Sequence, residues 1–187
     1  MKLSAQWLVL AFMAFAPTVL PAQKFFTRSA KVYFDATNKS SPERVDATSN
    51  SGTLVIDAAT GRLESAVLVK GFRFEKALME EHFNENYMES TKYPKATFKG
   101  QFVDPSKVNF TKDGTYTADV TGDMTIHGVT KKVTAPAKIT VKGGKISASA
   151  TFTAALADYG IAIPSLVADK LAKEAKVKVD AELEPMK

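Results

Sequence analysis

The 187-residue chain contains no cysteine. Disulfides, thiolate metal sites and lipid attachment through a modified cysteine are therefore all excluded. Histidine is nearly as scarce, with only His82 and His127 present. A three-histidine metal site is ruled out, and a Ser-His-Asp machine would have to rest on one of these two residues. His82 and Glu85 stand at i and i+3, a spacing that lets them share a metal with a third ligand on a helix. Without a His-Glu-x-x-His pattern, packing with one ring nitrogen satisfied is the simpler reading of His82. A tight cluster of arginine and aromatic residues is also missing. The net charge of +5 is spread over the polar faces of strands, so nucleic acid is not an expected partner. The basic balance leaves room for contact with an acidic membrane surface, but equally describes a solvated face that keeps a β-protein soluble.

Long apolar runs are lacking too. The one near the amino terminus, Trp7 to Phe15, falls short of the roughly 20 residues that a spanning helix needs. With Lys2 before it and Pro17 to Ala22 after it, the segment reads as a secretory signal peptide over residues 1–22. Residues 23–187 then form one domain, expected in the periplasm or outside a bacterial cell, and without disulfides it must be held by its core alone.

What the chain does have is alternation. Tyr116, Ala118, Val120, Gly122, Met124 and Ile126 alternate with polar residues along one long strand. Val133 to Val141, Ile146 to Ala154 and Val177 to Leu183 repeat the pattern, with Lys142-Gly143-Gly144-Lys145 as a tight hairpin turn. Shorter strands are predicted at Ala30 to Phe34, Thr53 to Asp57, Leu63 to Phe74, Ala96 to Phe102 and Val108 to Phe110. Asn38 to Ser51 reads as a loop plus a short edge strand. Pro136 is awkward inside a strand, where proline favours an edge or bulge. Glu75 to Ser90 has helical spacing, with Leu78, Met79, His82, Phe83 and Tyr87 on one side, and Ser165 to Ala172 reads as one or two helical turns. Many antiparallel strands with one apolar face each predict an all-β fold with one or two short helices, closed or nearly closed into a barrel.

The inward face of that barrel is built from small residues. Ala118, Ala135, Ala137, Ala148, Ala150, Ala154 and Ala181 are interrupted by Tyr116, Met124, Ile139, Phe152 and Leu183. Such a wall either receives bulky side chains such as Phe72, Phe74, Phe98 and Phe102 or leaves an elongated apolar space for a ligand. Composition alone leaves both open. His127, before Gly128 at a strand end, is either a turn residue bonded to backbone or a contact at the barrel mouth.

Two blocks carry a family resemblance: Glu80 to Gly100, which includes the strand entry Tyr93-Pro94-Lys95-Ala96-Thr97-Phe98, and Gly122 to Lys131 with Thr125-Ile126-His127-Gly128-Val129-Thr130. Together they resemble the YceI-like family from about Phe25 to Leu183. Asp158-Tyr159-Gly160-Ile161 is similar to a further stretch of its bacterial members, whereas the basic, serine-rich loop near Lys39 to Arg44 departs from the pattern. The resemblance implies an antiparallel lipocalin-like β-barrel enclosing an elongated apolar cavity, and a carrier of a polyisoprenoid or similar hydrophobic small-molecule ligand, with no cofactor. On that reading Phe83, Tyr87, Tyr93, Phe98 and Tyr116 are candidate ligand contacts of the lumen and mouth, with Met124, His127, Ala137, Ala150 and Phe152. The rivals are an enzyme acting on a lipid or quinone, which would need a base and a nucleophile converging in the pocket, and a structural or stress-response module working through protein contacts. The sequence carries no signal of oligomeric state.

Overall fold

A computed structural model describes residues 23–186, so the expected signal peptide lies outside the described residues. The architecture is a closed barrel of eight strands in sequence order, each antiparallel to the next. The strands are β1 (Lys24–Thr37), β2 (Asp46–Asp57), β3 (Arg62–Leu68), β4 (Lys95–Phe102), β5 (Gly114–Ile126), β6 (Val129–Lys142), β7 (Lys145–Ala155) and β8 (Leu171–Pro185). β8 returns to pair with β1, which removes the free edges that an open sheet of this length would expose. Among the described residues no helix is long and apolar enough to cross a membrane.

Alternation sets which side chains face inward. Along β5, Ala118, Val120 and Gly122 are buried while Thr117, Asp119 and Asp123 are exposed, and β6 repeats this with Ala135, Ala137, Ile139 and Val141. One end of the barrel is packed solid. Phe25, Phe102, Ile139, Ile146 and Leu183 are almost fully buried there. Phe110, on the loop between β4 and β5, stacks on Phe25 with ring centroids 6.1 Å apart. Each such side chain contributes about 1.5–3 kcal/mol by leaving water, which is how a chain without disulfides closes this end.

Several boundaries differ from expectation. The predicted strand Leu63 to Phe74 stops at Leu68, because Val69–Gly71 makes a tight turn and the chain touches the sheet again only where Arg73 pairs with Thr48. Val108 to Phe110 is not a strand; both residues are buried as a plug at the closed end. Within Asn38 to Ser51, read as a loop plus a short edge strand, Asp46 to Ser51 is strand but continues into the long strand β2. The helix is shorter than predicted: α1 covers Ala77–His82 and then widens into a π-type turn over Phe83–Tyr87, where the Met88 N–H donates to the Phe83 carbonyl at 2.9 Å. Of Ser165 to Ala172, only Ser165–Val167 forms a helical turn, and β8 already starts at Leu171.

Pro136 sits in β6 opposite Asp119 of β5, but on its other side the β6–β7 ladder runs only from the Lys142–Lys145 pair to the Ala137–Ala150 pair. The proline, lacking an N–H, thus stands at the first position where β7 is no longer paired. Beyond it β6 and β7 part, and Leu156 and Tyr159 from the following turn pack with Ile126 and Val129 at the separated end.

Candidate functional site

The end of the barrel opposite the Phe25 plug holds a cavity of about 530 Å³, within the size range typical of small-molecule sites. Its wall comes from four directions. β1 and β8 supply Val32, Phe34, Val177 and Val179, β5 supplies Met124 and Ile126, the α1 region supplies Met79, His82, Phe83 and Tyr87, and the turn after β7 supplies Leu156 and Tyr159. A second space of about 100 Å³ lies deeper, lined by Ala135, Ala137, Ile139, Ala148 and Ala150. Ser65, Phe98, Met124, Phe152 and Val179 line both spaces and form the neck between them. The two readings of the small-residue face therefore apply to different levels of one barrel. Large side chains fill the closed end, while alanines border open space above it.

α1 and its π-type turn are held on the barrel by aromatic packing. The Phe83 ring stacks on Phe34 at 5.3 Å and meets Phe74 at 5.0 Å and Phe72 at 5.8 Å. The wide turn is what swings Phe83 and Tyr87 over the cavity, and regular α-helical spacing does not anticipate it. Leu78, expected on the inward side, is 61% exposed at the rim.

Of the ten candidate contacts, Phe83, Tyr87, Phe98, Met124, Ala137, Ala150 and Phe152 border the two spaces. Tyr93, Tyr116 and His127 do not. The Tyr116 ring packs at the closed end and its hydroxyl donates to the Lys112 carbonyl at 2.8 Å. His127 is the first residue of the two-residue turn joining β5 and β6, with φ 51°, followed by Gly128 at φ 75°. Both angles are those of a type I′ hairpin, which glycine adopts freely and which costs other residues. Here His127 is anchored from outside the cavity. Its Nδ1 lies 3.1 Å from the Tyr159 carbonyl, its Nε2 lies 2.8 Å from Glu89 Oε2, and the Tyr93 ring packs edge-on against it at 4.7 Å. His127 and Tyr93 thus fasten the turn before β6 to the segments after α1 and after β7.

The mouth is closed over by three loops that meet at one carboxylate. Glu43, on the β1–β2 loop, receives Lys76 Nζ on Oε1 at 2.5 Å and Lys170 Nζ on Oε2 at 3.2 Å. Lys76 precedes α1 and Lys170 precedes β8. The hydrogen bonds from Lys76 and Lys170, with their charges, hold the Glu43 carboxyl below the usual carboxylate range, and Lys76 is raised in return. The backbone joins the same loops, since the Asn38 N–H donates to the Lys170 carbonyl at 2.9 Å. Beside this cluster, Arg44 donates to Asp46 at 2.7 Å and to the Tyr33 hydroxyl at 3.0 Å. Burial first, then the hydrogen bond to Asp46, raises Tyr33. Burial opposes ionisation of Asp35, yet the Thr37 hydroxyl and N–H keep it below the usual range. Among the described residues no group of three or more His, Asp or Glu stands together in a way that would hold a metal ion.

Glu43, Lys76 and Lys170 carry no signal in the sequence, because their loops are separated by 33 and 127 positions from Glu43. Phe34, Val177 and Val179 lie on alternating strands, so their inward direction was readable, whereas their level along the barrel axis was not.

A YceI-like domain model matches residues 24–183. A UPF0312 protein of Pseudomonas putida is 36% identical over 92 residues, which cover 46% of this chain and 44% of that protein; the match thus spans less than half of the relative's length. Among solved structures, a polyisoprenoid binding domain from Saccharophagus degradans superposes with a TM-score of 0.74 at 15% identity, covering 88% of this chain and 99% of that one. BcnA of Burkholderia cenocepacia gives 0.67 at 17% identity over 82% and 95%. The Campylobacter jejuni YCEI protein gives 0.53 at 16% identity over 100% and 99%. At these identities the structural likeness speaks to the fold alone.

Proposed function

This chain belongs to the YceI-like domain family, and we propose that it is an exported protein that binds and carries a polyisoprenoid or similar long-chain amphiphile inside its barrel, without catalysis. The observation that carries this reading is the 530 Å³ cavity continued by a 100 Å³ space beyond a neck, bordered almost wholly by apolar side chains. Each methylene buried in such a place contributes about 0.8 kcal/mol before the cost of ordering the chain, so a long tail binds with little polar recognition. The description of the Saccharophagus degradans domain as polyisoprenoid binding supports the same class of ligand. Export rests on the character of residues 1–22, read from the sequence. His127 supports a non-catalytic role, since it is engaged by Glu89 and the Tyr159 carbonyl and does not border either space, which leaves His82 as the one histidine in the cavity wall, with no second histidine beside it there.

Native mass spectrometry of the protein purified without detergent tests the proposal. A retained lipid, released by organic extraction, is the expected result. Protein that retains no lipid and takes up no apolar dye or isoprenoid would overturn it and favour a module acting through protein contacts.

A further inference from the structure

Building on the binding role proposed above, we propose that the cavity mouth contains a site for an anionic head group, formed by Lys76 and Lys170, whose ammonium groups Glu43 bridges in this structure. Among the described residues, the only carboxylate and ammonium groups bordering the large cavity are these three. Every other part of the wall is apolar or carries an uncharged hydroxyl or the ring of His82. Two ammonium groups facing one carboxylate leave a surplus of one positive charge at the single place where an apolar ligand would emerge into water.

The geometry is that of a bridged anion. Lys76 Nζ meets one oxygen of Glu43 and Lys170 Nζ meets the other, so the two cations already stand where a phosphate or carboxylate would present two oxygens. The Glu43 side chain is 27% exposed, and Lys76 and Lys170 are 58% and 49% exposed, so an incoming head group reaches them from solvent without crossing the core. Glu75 adds only a weaker field at Lys76, and Arg44 is already engaged by Asp46 and Tyr33. Such a head group takes the place of Glu43 between the two lysines while its tail runs past Phe83 toward the neck. The chemical class is an amphiphile with one apolar chain and a phosphate or carboxylate end.

Displacement of the apolar dye N-phenyl-1-naphthylamine at low salt tests this with dodecyl phosphate and 1-dodecanol, which share a chain and differ at the head. Dodecyl phosphate should bind about fivefold tighter, the scale of an exposed ion pair. The Lys76→Gln/Lys170→Gln variant should bring the two compounds within about twofold of each other. Glu43→Gln should widen the preference, since it removes the internal competitor. Equal affinity of the two compounds in the wild type, or a preference that survives in the double lysine variant, would overturn the head-group site while leaving the cavity reading intact. Failure of both compounds to displace the dye would overturn the two together. Inorganic phosphate alone should show no saturable binding by calorimetry. Saturable binding lost in the double variant would assign the site to a free anion and overturn the amphiphile.

Discussion

Gly100 of β4 and Gly122 of β5 face each other across the barrel wall, and neither has room for a methyl group. A Cβ at position 122 would lie 2.3 Å from the Lys99 carbonyl oxygen and 2.5 Å from the Gly100 Cα. One at position 100 would lie 2.4 Å from the Thr121 oxygen and 2.7 Å from the tip of the Phe98 ring. The obstacles are largely backbone, so they cannot step aside. Gly122→Ala is expected to cost at least the roughly 1–3 kcal/mol of an overpacked core. Gly114→Ala, which meets only the Tyr116 hydroxyl end at 3.1 Å, should cost less than about 1 kcal/mol by general surface experience. Urea unfolding of the two variants checks this, and equal losses would contradict it.

On the proposed binding role, the neck should separate ligands by length. Ala150→Phe fills the deeper space without touching Phe83 or the mouth. It should leave the fold intact within about 1–3 kcal/mol and reduce uptake of a long isoprenoid more than that of a short one. Competition with the same dye by chains of increasing length is the measurement. A loss that does not depend on length would place the ligand elsewhere.

Phe83 links the α1 region to Phe34, Phe72 and Phe74, while Glu85 in the same turn is exposed. Phe83→Ala should therefore shorten ligand retention and cost about 1–3 kcal/mol from several aromatic pairs. Glu85→Ala should do neither. Extraction after timed dialysis, followed by mass spectrometry, compares the two; equal retention would deny the turn a role as a lid.

His127 bears two separable loads, a left-handed turn and a pair of hydrogen bonds. Asparagine tolerates the turn geometry but is too short to span from Glu89 to the Tyr159 carbonyl, whereas valine fails at both. His127→Asn should lose about 1–2 kcal/mol, from hydrogen bonds alone. His127→Val should lose a further 1–2 kcal/mol or so for the left-handed backbone. Thermal unfolding of both variants settles the order.

Glu43 predicts an acid dependence at the mouth. Its pKa is held down in the folded protein by Lys76 and Lys170, so its contribution is present above the ordinary carboxylate pKa and is lost as pH falls through the lower folded value. The difference in melting temperature between wild type and Glu43→Gln should be small at pH 7, because the groups are exposed, and should shrink further toward pH 3. A difference that grew on acidification would have the wrong sign for this linkage.

The barrel was legible in the sequence because its physics is local. Alternation from Tyr116 to Ile126 and from Val133 to Val141 gives the wall, and Lys142 to Lys145 gives the hairpin. What failed were segments whose form is decided by distant partners. Val108 and Phe110 have strand-like residues but are drawn into the closed end by Phe25 and Phe102, and Asp46 to Ser51 is polar yet is claimed by β1. Among the candidate contacts, Phe98, Met124 and Phe152 were readable as inward residues. Tyr116 was equally readable as inward, but alternation does not tell which level of the barrel a side chain occupies, and Tyr93 and His127 lie in turns that alternation does not reach. The Glu43 cluster joins three loops and leaves no trace in any one of them.

The parting of β6 and β7 above the Ala137–Ala150 pair also determines how the barrel can change size. A fully hydrogen-bonded ring of strands has a fixed girth, since widening it means breaking a ladder. Below the neck β6 and β7 stay laddered from the Ala137–Ala150 pair to the Lys142–Lys145 pair, and that seam cannot widen without breaking hydrogen bonds. Above it this seam is closed by the apolar cluster that joins Leu156 and Tyr159 to Ile126 and Val129, and packing can slide where hydrogen bonds would have to break. The geometry is thus that of a funnel, with a laddered stem and a collar whose β6–β7 seam is held by packing. For the ligand proposed above, such a stem would take the slender chain and such a collar the broader end.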